Sequence, residues 1–214
     1  MPTQKKSLPP PTARGEATRA KLIEAAHSLF LKHGFHGTSM RQIADKAGLA
    51  LGGIYNHFAN KEEIFAAVLD AYHPYHIIMP ALENTQGDSA EALIRDAAGK
   101  IRLGIEQANA ETKLLPIMFM ELVEFQGRHL NAIAERVFPT ILRFIQRFIE
   151  KREQVRDLPA PVMLRAFAAV IIGYVLTELM LKNTTIFKQG QFNWFDGMVD
   201  IYLHGIIKGE ASEA

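Results

Sequence analysis

Cysteine is absent from this 214-residue chain, which excludes disulfides, thiolate catalysis and Cys-based metal sites together. Serines are few and none lies in a G-x-S-x-G elbow, and there is neither an H-E-x-x-H pair nor a glycine-rich phosphate loop at a strand end. No catalytic residue, cofactor or metal is therefore expected, and the chain does not read as an enzyme. Long hydrophobic runs are also missing. The longest uncharged apolar run, Ala166 to Thr177, is expected to be too short to span a bilayer. MPTQKKSLPPPTARGE at the N-terminus lacks the apolar core of a signal peptide. A cytoplasmic protein with no membrane partner is expected.

What is present is the composition of a globular protein, 48% hydrophobic and 22% charged. The net charge is only +1, but it is unevenly spread. Residues 1 to 61 hold nine Lys or Arg against three Asp or Glu, a balance of +6, which leaves −5 on the remainder. A basic N-terminal part suits phosphate contact, and an acidic remainder would repel DNA and keep the docking orientation unique.

The stretch TSMRQIADKAGLALGGIYNHFANK, Thr38 to Lys61, organises the rest. Ser39 followed three residues later by Gln42 is a capping box and predicts a helix start. Ile43, Ala44 and Ala47 share one face of that helix, and Gly48 ends it with a positive φ. Leu49 and Ile54 are spaced to pack a second helix on the first, with Ala44 small enough for a close crossing. This is the sequence form of a helix-turn-helix, whose second helix enters the DNA major groove. Ordinary helical corners share the Ala44, Gly48, Ile54 spacing. Tyr55, His57 and Lys61 add donors for phosphate oxygens, and Asn60 followed by Glu63 opens a further helix.

The run GFHGTSMRQIADKAGLALGGIYNHFANKEEIF resembles the DNA-binding domain of the TetR family of transcriptional regulators, and the likeness extends back through TRAKLIEAAHSLFLKHG, about residues 18 to 66. Beyond that it is a likeness of helix pattern and length. The resemblance implies an all-α fold of about nine helices: an N-terminal three-helix DNA-binding domain, then a larger helical effector-binding and dimerisation domain. The expected boundaries are 1–16 for a disordered basic arm, 17–60 for the helix-turn-helix domain, 61–80 for a connecting helix and 81–214 for the larger domain. The implied function is a homodimeric repressor on a palindromic double-stranded operator, released by a small-molecule effector. The alternatives are an effector-independent dimeric DNA-binding protein and a helical ligand-binding protein with a degenerate helix-turn-helix.

The DNA-contact candidates are Thr38, Ser39, Arg41, Leu51, Gly52, Gly53, Tyr55, Asn56, His57 and Lys61. Family members commonly carry Ser, Lys or Thr where this chain has Ala50, Leu51, Gly52 and Gly53. Base reading is therefore assigned to Arg41 on guanine, to Asn56, and to Leu51 on a thymine methyl, while the glycines allow close backbone approach. The recognition helix is expected over about Leu51 to Phe58.

Elsewhere, apolar spacing predicts helices over about Ala17–His33, Asn60–Tyr72, 89–108, Thr112–Gln126, His129–Arg152, 160–183 and Phe192–Lys208, with no strand. Phe35 and Phe58 fill the small N-terminal core. Pro74 and Pro80 should kink or break the fourth helix near 73 and 80. His73 and His76 flank that break and are read as hydrogen-bonding groups rather than metal ligands. For an apolar or aromatic effector the candidate contacts are Tyr72, Met79, Met118, Glu121, Phe125, Phe144, Phe167 and Tyr174, since methionine and aromatic side chains adapt to ligands. Glu121 sits in an apolar run, so it either faces a donor on the ligand, pairs with an arginine of the seventh helix, or is exposed. The helix over 160–183 is apolar almost all round and must be covered. Ala169, Gly173 and Leu176 from it, with Phe195, Met198 and Tyr202 from the last helix, are the expected dimer interface.

Overall fold

A computed structural model of the chain describes residues 13–112, 114–151, 155–181, 184 and 192–207. Among them ten helices follow in order: α1 (Ala13–His33), α2 (Met40–Lys46), α3 (Leu51–Ile54), α4 (Lys61–Tyr72), α5 (Tyr75–Glu83), α6 (Ala90–Thr112), α7 (Leu114–Glu124), α8 (Leu130–Ile149), α9 (Ala160–Leu181) and α10 (Trp194–Ile206). One isolated antiparallel bridge, Val155 to Ile207, is the only strand-like pairing among the described residues. Lys5 and Lys6 of the expected arm lie outside these residues, whereas Ala13 to Glu16 already belong to α1.

The chain divides into two compact units. The first holds the residues up to His73 together with 109–134, and the second holds 74–108 with the residues from 135 onward. In the first unit Leu22 and Phe30 of α1, Ile43 of α2, Ile54 of α3 and Ile64, Phe65 and Leu69 of α4 are fully buried, and Phe58 nearly so. Each such side chain contributes roughly 2 kcal/mol. The core extends further than three helices need, because α7 packs on α1 and α4. Phe125 just beyond α7 stacks on Phe65 at 4.5 Å and meets Phe35 edge-on at 4.8 Å.

In the second unit Leu93, Ile94, Ala97, Ala98 and Ile101 of α6 line up against Phe144 and Phe148 of α8, Phe167 and Ile171 of α9 and Val199 and Leu203 of α10. The approach of α6 to α5 needs a glycine: a Cβ on Gly104 would lie 2.1 Å from Ile77 Cγ2.

Three expectations are corrected here. The expected break at Pro80 does not occur, and residues 75–83 form an additional helix. Pro74 stands at its N-cap with φ −58°, and its carbonyl accepts from the Ile77 and Ile78 amides at 2.9 Å, so the fourth helix ends at the first proline while Pro80 lies inside α5. The recognition helix is regular only over Leu51–Ile54, where Ala50 supplies no side-chain cap and two glycines raise the entropy cost of helix formation. From there the chain tightens, with Asn56 N–H on the Gly53 carbonyl and His57 N–H on that of Ile54. Finally, Ala160–Glu178 within α9 is long and apolar enough to cross a membrane by length and composition, at mean hydropathy 1.8. It passes because Arg165 and Glu178 at the edges of the uncharged run do not outweigh the residues around them.

Candidate nucleic-acid interface

The turn into α2 is built by local chemistry. The Ser39 hydroxyl accepts from the Gln42 amide at 3.3 Å, and Gln42 Oε1 accepts in return from the Ser39 amide at 2.8 Å. This completes the capping box and is worth about 1 kcal/mol. At the other end Gly48 takes φ +72°, the left-handed turn that lets Leu49 N–H bond back to the Ala44 carbonyl at 2.9 Å. Ile43, Ala44 and Ile54 are wholly buried between α2 and α3. Arg41, Leu51, Gly52, Tyr55 and Asn56 are exposed, and Gly53 and His57 are half-buried. A Cβ at Gly52 or Gly53 would meet no atom within 4 Å, so the protein's own packing does not demand a glycine at either place.

Two candidates are turned to other work. Thr38 is buried, and its hydroxyl donates to the Gly34 carbonyl at 2.9 Å, closing the end of α1 instead of facing outward. Lys61 sends its ammonium to the Phe35 and Thr38 carbonyls at 2.6 and 2.7 Å; loss of hydration lowers its pKa. Asn60 opens α4 as its spacing to Glu63 predicts, accepting from the Glu63 amide at 2.8 Å, while Glu63 reaches back to the Ala59 amide at 2.7 Å. Sequence reasoning passed over Arg19, whose guanidinium stands 4.8 Å from the centre of the Phe58 ring.

The effector candidates fall into separate groups. In the first unit Tyr72 stacks on His27 at 3.8 Å, and burial and the charge of Glu24 raise its pKa. Met118 is half-buried. Glu121 is fully buried and bonds to His129, not to an arginine of α8, and Phe125 belongs to the aromatic cluster around Phe65. In the second unit Met79 packs at the edge of the core. Phe144 and Phe167 line one small space of about 20 Å³, room for a single water. Tyr174 donates to Glu106 Oε1 at 3.0 Å, and burial followed by that carboxylate pushes its pKa up to about 12. A larger cleft of about 410 Å³ lies between the end of α8 and the start of α9. Phe148, Ile149, Leu158, Met163, Arg156 and Asp157 are among its lining, and no effector candidate is.

Of the dimer candidates, Phe195 and Tyr202 are core residues. Phe195 meets Tyr174 edge-on at 5.0 Å, and the Tyr202 hydroxyl donates to the Met163 carbonyl at 2.9 Å; burial raises the Tyr202 pKa. Ala169 is exposed, and Gly173, Leu176 and Met198 are half-buried. The exposed apolar side chains are instead Val162, Ile172 and Met180 of α9 and Trp194 and Ile201 of α10.

Residues 22–68, which span α1 to α4, match the family described as bacterial regulatory proteins, tetR family. The HTH-type transcriptional regulator TtgR of Pseudomonas putida is 30% identical over 193 residues, covering 88% of this chain and 81% of TtgR. The chain belongs to the tetR family. Like the other members of the tetR family it is a helix-turn-helix transcription regulator, and the matched residues include its α2–α3 pair. Two solved structures share the tetR fold over nearly the whole chain. NalD of Pseudomonas aeruginosa, the secondary repressor of the MexAB-OprM multidrug efflux pump, is 20% identical with a TM-score of 0.64, covering 91% of this chain and 99% of NalD. The complex of triclosan with SmeT of Stenotrophomonas maltophilia is 22% identical with a TM-score of 0.57, covering 90% and 92%.

Proposed function

We propose that this tetR-family chain is a repressor that binds a near-palindromic operator as a homodimer and is released by a small apolar or aromatic molecule. The observation that carries the reading is the α2–α3 pair, locked by its capping box and by Gly48, with Arg41, Leu51, Tyr55 and Asn56 on its exposed side. Arg41 reads guanine bidentately, Asn56 reads a base edge and Leu51 packs on a thymine methyl. Residues 17–60 are the DNA-binding domain, 61–80 the connection, and 81–214 the part that binds effector and partner.

The dimer is supported by the exposed face of α9 and α10. Ala169, Ile172 and Leu176 on α9 follow one another at helical spacing, and Ile201 supplies the same chemistry on α10. A helix with the composition of a membrane span, left largely uncovered in one chain, is covered by a second copy through two-fold pairing. Such a dimer sets two recognition helices in successive major grooves, roughly 34–36 Å apart. An effector that binds better to a state with another helix separation releases the DNA, by no more than its difference in affinity for the two states. TtgR, NalD and SmeT are named as regulators or repressors, and the SmeT structure holds triclosan; these names support the reading.

The small size of the space beside Phe144 and Phe167 favours a second reading, a dimeric regulator without effector. Selection of bound sequences from random duplex DNA at a stated salt concentration tests what both readings share. Enrichment of a palindrome is expected, and weak salt-sensitive binding without enrichment contradicts it. Screening of small apolar molecules for release from the enriched duplex then separates the two.

A further inference from the structure

Lys61 is the first residue of α4, and its side chain reaches back across 23 and 26 residues of sequence to the turn between α1 and α2. The ammonium donates to the Phe35 carbonyl at 2.6 Å and the Thr38 carbonyl at 2.7 Å, and it lies 4.3 Å from the centre of the Phe35 ring. Two charge-assisted hydrogen bonds and a cation–π contact point into one turn. What remains for a phosphate is a single N–H on a half-buried side chain.

The turn it grips is the entry to the helix-turn-helix. Thr38 precedes the N-cap Ser39, and its own hydroxyl closes α1 on the Gly34 carbonyl. The turn that joins the end of α1 to the cap of α2 is therefore held by one ammonium from the first turn of α4. Glu62, the next residue, is tied elsewhere: it accepts from Arg128 at 2.9 Å and stands 3.5 Å from His129 Nε2. Adjacent residues of α4 thus hold the entry of the reading head and the turn that follows α7.

The geometry points to Lys61 as a positioning residue for DNA binding. By holding the Phe35 and Thr38 carbonyls it fixes the start of α2, and with it Arg41 two residues beyond the cap, and it does not neutralise a phosphate. The inference rests on the DNA-binding reading given above.

The two roles differ in salt dependence. A lysine on phosphate releases about one counterion and steepens the slope of log affinity against log salt by about one, whereas an ammonium held by carbonyls contributes nothing to that slope. The experiment uses the full chain and the duplex enriched from the random pool, with a scrambled duplex of the same length. Binding of wild type, Lys61→Met and Lys61→Gln is measured over a salt series, well below the melting temperature of each protein. A lower melting temperature alone does not move the affinity ratio of the folded protein. Lys61→Met is expected to keep the wild-type slope while its preference for the enriched over the scrambled duplex falls about tenfold. Lys61→Gln, which keeps a neutral donor for the carbonyls and serves also if the methionine variant does not fold, is expected to keep the slope and lose less preference. A slope shallower by about one in either variant, or an unchanged preference in both, overturns the inference. Failure of the wild type to enrich any sequence would instead remove the DNA-binding reading itself.

Discussion

Glu121 and His129 face each other across the turn that follows α7, with Glu121 Oε1 accepting from the His129 amide at 2.8 Å and Oε2 lying 2.8 Å from His129 Nδ1. The carboxyl is wholly buried, and both of its oxygens are satisfied by one residue. The turn is shaped for this by two consecutive left-handed residues, Gln126 at φ 54° and Gly127 at φ 78°. Around it Phe125 stacks on Phe65, and His36 bonds to Glu124 at 2.8 Å, so α7 is fastened to the helices that carry the reading head.

His129→Ala removes the side-chain partner of a buried carboxyl group, and such a loss costs about 2 kcal/mol. Urea denaturation should show a lower midpoint for this variant. Leucine at both 121 and 129 should recover part of the loss, because no carboxyl group is then left buried without its side-chain partner, although the residue 129 amide loses its acceptor. Equal stability of wild type and His129→Ala would contradict the role given to this pair.

Gly52→Ala should stabilise the free protein by about 0.5 kcal/mol, since helix propensity improves and a Cβ there meets no atom within 4 Å. Affinity for the enriched duplex should nonetheless fall, because the added methyl stands where the groove approaches. Thermal melting and a binding titration check the two halves. A variant both more stable and equally tight would show that the bare backbone has no role in DNA contact.

Ile172→Asp and Ile201→Asp place charges on the exposed apolar face of α9 and α10. Each should leave the helix content unchanged, shift the mass seen by light scattering from two chains to one, and weaken binding to the enriched duplex at least tenfold. A mass unaltered in both variants would move the dimer interface elsewhere.

Asp96 accepts from the Gln86 amide at 2.7 Å and from Lys100 at 2.6 Å, and its pKa lies below the ordinary carboxylate value, first because of the Lys100 hydrogen bond. A carboxylate depressed in the folded state stabilises above its unfolded pKa and loses that contribution as pH falls through the folded one. Asp96→Asn should therefore be less stable than wild type at pH 7, by under about 1 kcal/mol for a pair this exposed. The difference should vanish at pH values below the depressed pKa, and urea midpoints along a pH series check both statements.

The sequence carried most where the chemistry is local. Ser39 and Gln42 form the capping box that their spacing announces, and Gly48 takes the positive φ that its place after Ala47 requires. Sequence could not reveal partners brought together by the fold. Lys61 has the chemistry of a phosphate ligand, and only the return of the chain places the Phe35 and Thr38 carbonyls under its ammonium. Glu121 was recognisable as an uneasy carboxyl in an apolar run, but the turn at Gln126 and Gly127 chose His129 as its partner. On α10, helical periodicity marked Phe195, Met198 and Tyr202 as apolar without deciding which side faces the core. Packing against Tyr174 and the Met163 carbonyl turns the two aromatic residues inward and leaves Ile201 outside.

The claim of a sequence-reading regulator is tested most directly by the ratio of affinities of the full-length wild-type protein for its enriched palindrome and for a scrambled duplex, in one buffer at physiological salt. A ratio of about 10³ or more is predicted, as sequence-specific binding requires. A ratio near one, with both affinities falling together as salt rises, would mean that Arg41, Leu51 and Asn56 read no bases.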